Sequence, residues 1–200
     1  MKSPSLSVVI PTMGRTSLAD SLESIARQTI QPDDEILVVG DGWQPGAREV
    51  CAYFEGQLPV RYVSHGPTRN FGNAQRTFGL GMVHGDYVGF LDDDDVYAPE
   101  AFTQIRKALV AEDSPELVFF KTVAPWGEVV WTDEGLYEQG NICTVQMVVR
   151  NARPFPPWPL RQGGNVGWAR VMAERGRVVW RREITTICRP VRKWWEVQDG

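Results

Sequence analysis

Short apolar runs alternate with amphipathic stretches over the first 122 residues of the chain. Buried strands are predicted where apolar residues follow one another, at 6–10, 35–39, 59–63, 86–91 and 117–122. Helices are predicted between them, where apolar residues recur every three or four positions, at 18–26, 47–54, 73–83 and 98–111. This alternation is typical of an α/β fold with a mixed, mostly parallel sheet and helices on both faces.

The pattern changes near residue 125. Strands are predicted at 129–132 and 143–149, a proline-rich loop at 154–159, a helix at 166–175 and an extended stretch at 178–187. The change marks a subregion and does not require a second domain. We therefore expect one domain over 1–200, made of a half at 1–124 and a subregion with a C-terminal tail at 125–200.

Composition places the chain among ordinary globular proteins. It has 200 residues, 42% hydrophobic and 23% charged, which excludes a disordered or fibrous class. No apolar run approaches the roughly 18–20 residues of a membrane span, and the N-terminus does not resemble a signal peptide. Three cysteines without a CxxC pair favour a reduced chain. A cytoplasmic protein is expected, with peripheral membrane contact as the alternative.

Charge is distributed unevenly along the chain. Residues 1–149 carry 10 basic and 21 acidic side chains, whereas residues 150–193 carry 11 basic and 2 acidic ones. Five of the eight tryptophans follow residue 150. Such a region is suited to an anionic partner, with tryptophans that stack on sugars or bases. Alternatively, the arginines balance the acidic half within the fold and the tryptophans belong to the core.

Candidate chemistry lies at the carboxyl ends of three predicted strands, where ligands bind in open parallel sheets. The first strand ends in Pro11-Thr12, the second in Gly40-Asp41-Gly42, and the fourth in Asp92-Asp93-Asp94-Asp95. Four adjacent carboxylates repel one another, and Mg²⁺ or Mn²⁺ prefers such oxygen ligands. The alternative is a solvated acidic loop that caps the next helix.

Groups that could hold phosphate must be sought among the arginines, because no P-loop is present. Arg69 and Arg76 bracket Asn70-Phe71-Gly72-Asn73 just before a predicted helix, and arginine is suited to bidentate phosphate contact. A surface ion pair is the alternative. The two histidines, His65 and His84, are interpreted as structural or surface residues.

Five segments together resemble the family-two glycosyltransferases of the GT-A fold. The segments are 7–12 (SVVIPT), 28–29 (QT), 38–42 (VVGDG), 69–76 (RNFGNAQR) and 85–95 (GDYVGFLDDDD). The match is specific over 6–110 and diffuse beyond. The resemblance implies a metal-dependent transfer of a sugar from a nucleotide-diphospho-sugar, with a UDP-sugar favoured, to an acceptor hydroxyl. It also implies a GT-A (Rossmann-like) fold, with the acceptor on the side of 125–200.

The resemblance further assigns roles to individual residues. Nucleotide-sugar contacts are implied for seven of them: Pro11, Thr12, Asp41, Asn73, Arg76, Asp92 and Asp93. Asp92 and Asp94 form the Asp-x-Asp (DXD) pair and would hold Mn²⁺ or Mg²⁺ on the diphosphate. A bound cation would stabilise the negative charge on the leaving diphosphate.

Three positions depart from the family pattern. Gly40 stands where the family usually has the first Asp of a pair, and no histidine follows His84 as a third metal ligand. Asn165 falls where inverting members have a catalytic Asp, and asparagine cannot take a proton at neutral pH. Asp133 and Glu134 are then candidate bases. Alternatively, the reaction retains configuration, or the transferase is weak or inactive.

Two other functions therefore remain open. A catalytically silent nucleotide-sugar or glycan-binding module would keep the fold, and turnover against binding alone distinguishes it. A nucleotidyltransferase is the third reading, although Met13-Gly14-Arg15 supplies one glycine where a glycine-rich loop is usual. The acceptor could be a lipid phosphate, a modified DNA base, or a protein or glycan. At 200 residues, a partner or a homo-oligomer is expected to complete the acceptor side.

Overall fold

The computed structural model describes residues 3–131 and 133–189. Its strands are β1 (Leu6–Thr12), β2 (Glu35–Asp41), β3 (Val60–His65), β4 (Tyr87–Phe90), β5 (Asp95–Tyr97), β6 (Leu117–Val123), β7 (Val129–Val130), β8 (Met147–Arg150) and β9 (Val178–Cys188). Its helices are α1 (Leu18–Ala26), α2 (Pro45–Phe54), α3 (Asn73–Leu80), α4 (Ala101–Ala111) and α5 (Gly164–Ala173), and a 3-10 turn covers Thr144–Gln146. Strands therefore alternate with helices along the chain, as the sequence predicts.

One sheet carries strands from both predicted halves of the chain. Its spatial order is β3-β2-β1-β4-β8-β6-β9-β5, and β7 pairs with β6. The first four strands in this order run parallel, and so do β6 and β9, while β8 is antiparallel to both its neighbours. The parallel strands β1, β2 and β4 bring their carboxyl ends to one edge, which is where the candidate chemistry lies.

Helices cover both faces of the sheet, because successive strand residues point to opposite sides. In β1, Val8 and Ile10 pack with α1, α2 and α4, whereas Val9 packs on the other face with α3 and α5. The second face contains Trp158 and Trp168, whose rings stack at 4.2 Å and are 1% exposed. The predicted α/β fold with a mixed sheet is confirmed.

Several predicted boundaries are wrong where long-range pairing decides the structure. The predicted helix at 98–111 begins only at Ala101, because 95–97 form β5, which pairs with β9. The predicted strand at 143–149 is a 3-10 turn followed by β8. Helix α3 ends at Leu80 instead of 83, and α5 covers 164–173 instead of 166–175.

After residue 150, Trp158 and Trp168 are buried, whereas most of the described arginines are exposed and several of them pair with acidic residues of the fold. Trp180 stacks on Phe119 at 4.3 Å, while Trp194 and Trp195 lie outside the described residues. Arg177 and Arg181 pair with Glu112, and Arg175 pairs with Glu116. Within the described ranges, none of the helices combines the length and apolar character that a membrane crossing requires.

Candidate functional site

A cavity of about 220 Å³ opens at the carboxyl ends of β1, β2 and β4. We call it the first cavity, and it is lined by Pro11, Thr12, Met13, Arg15, Asp41, Phe71, Gly72, Gln75, Arg76, Asp92, Asp93, Asp94 and Arg189. Gly72 has a φ of +75°, and an added Cβ would lie 2.8 Å from the ring of Pro11. Glycine therefore lets the start of α3 approach β1, which closes one wall of the cavity.

The Asp41 carboxylate is held by donors from the segment that precedes and begins α3. It accepts hydrogen bonds from the backbone N–H groups of Thr68 and Arg69, at 2.5 and 2.9 Å, and from Nε2 of Gln75 at 2.8 Å. Burial opposes its ionisation, but these donors together hold the pKa of Asp41 below its usual value. Asp41 is thus a fixed negative charge at the end of β2.

Gly40 has no room for the aspartate that the family pattern would place there. A Cβ at this position would lie 2.3 Å from the hydroxyl oxygen of Tyr62, on the neighbouring strand β3. That hydroxyl accepts a hydrogen bond of 2.8 Å from the backbone N–H of Gln44. The tyrosine therefore occupies the space of the missing side chain, and Asp41 alone carries the charge.

Four carboxylates form an acidic turn, 92–95, which follows β4 and ends at the first residue of β5. Carboxylate oxygens of Asp92, Asp94 and Asp95 lie within 4.8 Å of one another. Burial, with the charge of Asp92 nearby, raises the pKa of Asp95 well above its usual value. Closely spaced oxygen ligands of like charge fit a hard divalent cation, which would relieve their repulsion.

Arginines from three elements meet the acidic turn. The guanidinium of Arg76 contacts the carboxylate of Asp92. Oδ2 of Asp94 lies 3.0 Å from a terminal nitrogen of Arg15 and 3.0 Å from Nε of Arg189. Because Arg15 also pairs with Asp93, arginines contact three of the four carboxylates of the turn.

Arg76 is buried, with 4% of its surface exposed. It donates to the backbone carbonyl of Phe71 at 2.8 Å and lies over the ring of Trp158, 5.6 Å from its centre. Its Nε, and Oε1 of the fully buried Gln75, have no hydrogen-bond partner within the described part of the chain. Buried polar atoms without partners are rare, and here both belong to residues that line the cavity.

Asp93 faces the end of β1. Its carboxylate accepts hydrogen bonds from the hydroxyl of Thr12 at 2.7 Å and from Arg15 at 2.9 Å. Burial raises the pKa of Asp93, against the opposing effect of these donors. Asp93 therefore links the acidic turn to the loop after β1. This contact positions the side chain of Arg15.

A second cavity, of about 340 Å³, lies on the other side of the acidic turn. It shares Asp92, Asp94 and Arg189 with the first cavity, and extends to the β6–β7 turn and the start of α5. Asn165 lines it and donates from Nδ2 to the carbonyl of Ile142 at 3.2 Å. Asn165, the position that the resemblance aligns with a catalytic aspartate, therefore faces a cavity next to the acidic turn.

Three predicted site residues lie outside the linings of both cavities. Asn73 is buried and donates to the carbonyls of Pro159 and Arg161, each at 2.9 Å, so its amide holds the loop before α5. Asp133 and Glu134 lie on an exposed turn. The backbone of Asp133 is bonded to the side chain of Asn141.

Sequence reasoning missed several lining residues. Arg15, Gln75 and Arg189 come from different elements, and each contacts a predicted acidic residue. Trp126 lines the second cavity and is 70% exposed. Gln75 lies inside segment 69–76, one of the five that carry the family resemblance, so the sequence contained a signal for it. Trp126 lies in no motif, and its aromatic ring was the only sequence feature that could have indicated it.

Comparison with known proteins matches residues 7–132 to the model for "Glycosyl transferase family 2". Validoxylamine A glucosyltransferase of Streptomyces hygroscopicus subsp. limoneus is 32% identical over 114 residues, which are 56% of this chain and 24% of that protein. Chondroitin synthase of Escherichia coli is 31% identical over 117 residues, 56% of this chain and 17% of that one. The chain thus spans a quarter or less of the length of these two relatives.

Solved structures share the fold at low identity. TarS of S. aureus superposes with a TM-score of 0.77 and 16% identity, over 96% of this chain and 38% of that one. A mannosyltransferase from Pyrobaculum calidifontis, solved with GDP-Man and Mn²⁺, gives 0.70 and 18%, over 96% and 59%. A TarS fragment, residues 1–349, was solved with UDP and, separately, with UDP-GlcNAc.

Proposed function

The chain belongs to glycosyl transferase family 2, and we propose that it is a metal-dependent glycosyltransferase that uses a nucleotide-diphospho-sugar. The observation that carries this proposal is the acidic turn, which forms one wall of a cavity that also contains Asp41 and Arg76. A binding site for a nucleotide-sugar needs a polar group for the nucleoside. It also needs a charged region that accommodates the diphosphate with its cation.

Asp92 and Asp94 are the proposed metal ligands. Mn²⁺ or Mg²⁺ bound there would act as a Lewis acid toward the diphosphate. The chain itself supplies Arg15, Arg76 and Arg189 around the same turn, and arginine is suited to phosphate oxygens. Pro11, Thr12 and Asp41 would line the nucleoside, while Asn73 would act through the loop that it holds.

The transfer itself is a substitution at the anomeric carbon of the sugar. The acceptor oxygen forms a bond to that carbon, the bond from the carbon to the diphosphate oxygen breaks, and its electron pair leaves with the diphosphate. The acceptor proton passes to water or to a base. We place the acceptor in the second cavity, because that cavity adjoins the acidic turn.

A UDP-sugar is the proposed donor. Support comes from TarS, which shares the fold and was solved with UDP and with UDP-GlcNAc. GDP is the alternative, because the Pyrobaculum calidifontis mannosyltransferase was solved with GDP-Man. The test therefore compares nucleotides directly.

A catalytically silent binding module is the second candidate. Asn165 favours it, because its amide cannot accept the acceptor proton. Among the described residues that line the second cavity, the carboxylates belong to the acidic turn itself: Asp92, Asp94 and Asp95. Turnover distinguishes the two functions, since a silent module would bind nucleotide without consuming its sugar.

The first experiment is thermal unfolding with UDP, GDP, dTDP, CDP or ADP, each with and without Mn²⁺. A ligand at 100 times its dissociation constant stabilises a fold by about 2.7 kcal/mol. We expect one nucleotide to raise the unfolding midpoint, and to need the metal to do so. Release of nucleotide from the matching sugar donor then measures turnover.

Asp94→Ala tests the acidic turn, with Asp20→Ala as the matched control on an exposed face of α1. The first variant should lose the metal-dependent shift and the second should keep it. If nucleotide binding by Asp94→Ala still depends on Mn²⁺, the acidic turn is not part of the nucleotide-binding site. No shift with any nucleotide in the unaltered protein would contradict the proposed donor class.

A further inference from the structure

Two of the three cysteines meet at the wall of the second cavity. Cys143 directly precedes the 3-10 turn, and Cys188 is the last residue of β9. Both are free thiols, both line the cavity, and the thiol of Cys143 donates a hydrogen bond to the sulfur of Cys188. Tertiary packing therefore places two thiols side by side that lie far apart in the sequence.

Separate contacts hold the backbone of each cysteine in place. Cys188 lies opposite Asp95 where β9 pairs with β5, and its sulfur is 3.5 Å from the hydroxyl oxygen of Thr122 on β6. The backbone N–H of Cys143 donates to Oε1 of the fully buried Gln146 at 2.6 Å. The meeting of the two sulfurs is thus built into the sheet and the 3-10 turn.

The two thiols can be reached from solvent through the second cavity. Cys143 and Cys188 are partly buried, and the cavity that they line has a volume of about 340 Å³. Cys51 differs in both respects, because it is 0% exposed in the core and lines neither cavity. Reaction of a thiol depends on access, so a small reagent should distinguish the pair from Cys51.

We propose that Cys143 and Cys188 are a site of reversible oxidation, at which a small-molecule disulfide such as oxidised glutathione converts the two thiols into one disulfide bond. Neither cysteine is a proposed ligand of the sugar donor or of its cation. The inference therefore goes beyond the proposed function and does not depend on it.

The reaction is a pair of thiol–disulfide exchanges. The sulfur of one cysteine, as thiolate, attacks one sulfur of the oxidant, so that a mixed disulfide forms and one thiolate leaves. The sulfur of the second cysteine then attacks the protein sulfur of the mixed disulfide, and the other thiolate leaves. The two protons that the cysteines lose are taken up by the two leaving thiolates. The protein is oxidised by two electrons, and the oxidant is reduced to two thiols.

The bond would connect the end of β9 to the 3-10 turn and close the segment 143–188 into a loop. A disulfide that closes a long segment restricts the unfolded chain and so stabilises the folded one. Arg189, the next residue, pairs with Asp94 of the acidic turn at 3.0 Å. Oxidation would therefore fix the backbone beside one wall that the two cavities share.

The test exposes the full chain to oxidised glutathione, alkylates the remaining thiols after unfolding, and measures the mass of the intact protein and of its peptides. We expect the loss of two hydrogens, a cross-linked peptide pair that contains Cys143 and Cys188, and alkylation of Cys51 alone. The midpoint of unfolding in urea should rise on oxidation. Dithiothreitol should return the midpoint and restore three alkylated cysteines.

Variants identify the partners of the bond. Cys143→Ser and Cys188→Ser cannot close it, so each should instead hold glutathione on the cysteine that remains at the cavity, without the gain in urea midpoint. Cys51→Ser is the matched control, because it removes a thiol and leaves the pair intact. It should form the same disulfide and show the same gain as the unaltered protein.

Three results would overturn the inference. The first is an unaltered protein that keeps three alkylated cysteines or collects glutathione without a bond between Cys143 and Cys188. The second is a cross-link that includes Cys51. The third is a loss of two hydrogens that persists in Cys143→Ser or in Cys188→Ser. Nucleotide binding and sugar transfer enter none of these measurements, so failure of the proposed function is observed separately.

Discussion

Nε of Arg189 lies 3.0 Å from Oδ2 of Asp94, so the end of β9 meets the carboxylate that we propose as a metal ligand. Arg15 approaches the same oxygen from the end of β1, also at 3.0 Å. Without a metal ion, these two guanidiniums supply positive charge to Asp94. A divalent cation must therefore compete with them for this oxygen.

Removing one competitor should strengthen metal binding in the nucleotide-free protein. The pair between Arg189 and Asp94 is solvent-exposed, and such pairs contribute roughly 0.2–1 kcal/mol, so Arg189→Gln should tighten Mn²⁺ binding by up to about fivefold. Calorimetric titration with Mn²⁺ measures the change. Arg182→Gln, an exposed change within β9, controls for net charge. Weaker Mn²⁺ binding in Arg189→Gln would show that the arginine supports the cation site.

Arg76 should matter for stability as well as for the ligand. Its guanidinium is buried and bonded to Phe71 and Asp92, so Arg76→Ala leaves polar groups without their partner. We expect the free energy of unfolding in urea to fall by about 2–4 kcal/mol. The control is Arg48→Ala, which removes an exposed pair with Glu55 and should cost less than about 1 kcal/mol. Equal losses of unfolding free energy in the two variants would contradict the expectation that the buried Arg76 stabilises the fold more than the exposed Arg48 does.

The lowered pKa of Asp41 predicts a loss of stability in acid. Because its pKa is lower in the folded state, the ionised carboxylate contributes stability that is fully present above the unfolded pKa. That contribution disappears as pH falls through the folded pKa. From about pH 5 down to about pH 3, the unaltered protein should lose unfolding free energy relative to Asp41→Asn. Parallel curves for the two proteins would rule out this effect.

Asn165 provides a test of the missing base. Asn165→Asp places a carboxylate in the second cavity, and general-base catalysis contributes about 10²–10⁴-fold where it operates. We expect transfer by this variant to be at least as fast as in the unaltered protein, and to increase with pH as the carboxylate ionises. Asn165→Ala, measured beside it, should show no such increase. A collapse of activity in both variants would mean that the hydrogen bond from the Asn165 amide to the carbonyl of Ile142 is itself required.

The parallel part of the fold was predictable because each element carries its own periodic signal. Strands β1 and β2 are continuous apolar runs, and their ends place Thr12 and Asp41 at one edge of the sheet. β5 was not predictable in this way. Its three residues pair with β9, more than 80 positions away, and local pattern carries no information on such a partner.

The acidic part of the candidate site was predictable, whereas only Arg76 of its basic part was indicated by the sequence. Asp92 and Asp94 stand out as neighbours in sequence. Arg15 and Arg189 meet Asp94 only because the ends of β1 and β9 converge on the acidic turn. Convergence of distant side chains depends on tertiary packing, and the same reason applies to Trp126 and the second cavity.

The two cavities are lined by different parts of the amino-acid sequence. Apart from the shared acidic turn and Arg189, the first draws its wall from residues 11–76 and the second largely from 122–165. After gene duplication, substitutions in 122–165 can diverge while residues 11–76 remain under purifying selection. If the second cavity holds the acceptor, as we propose, a lineage that inherits this arrangement can change the recipient of the sugar and still use the same activated precursor.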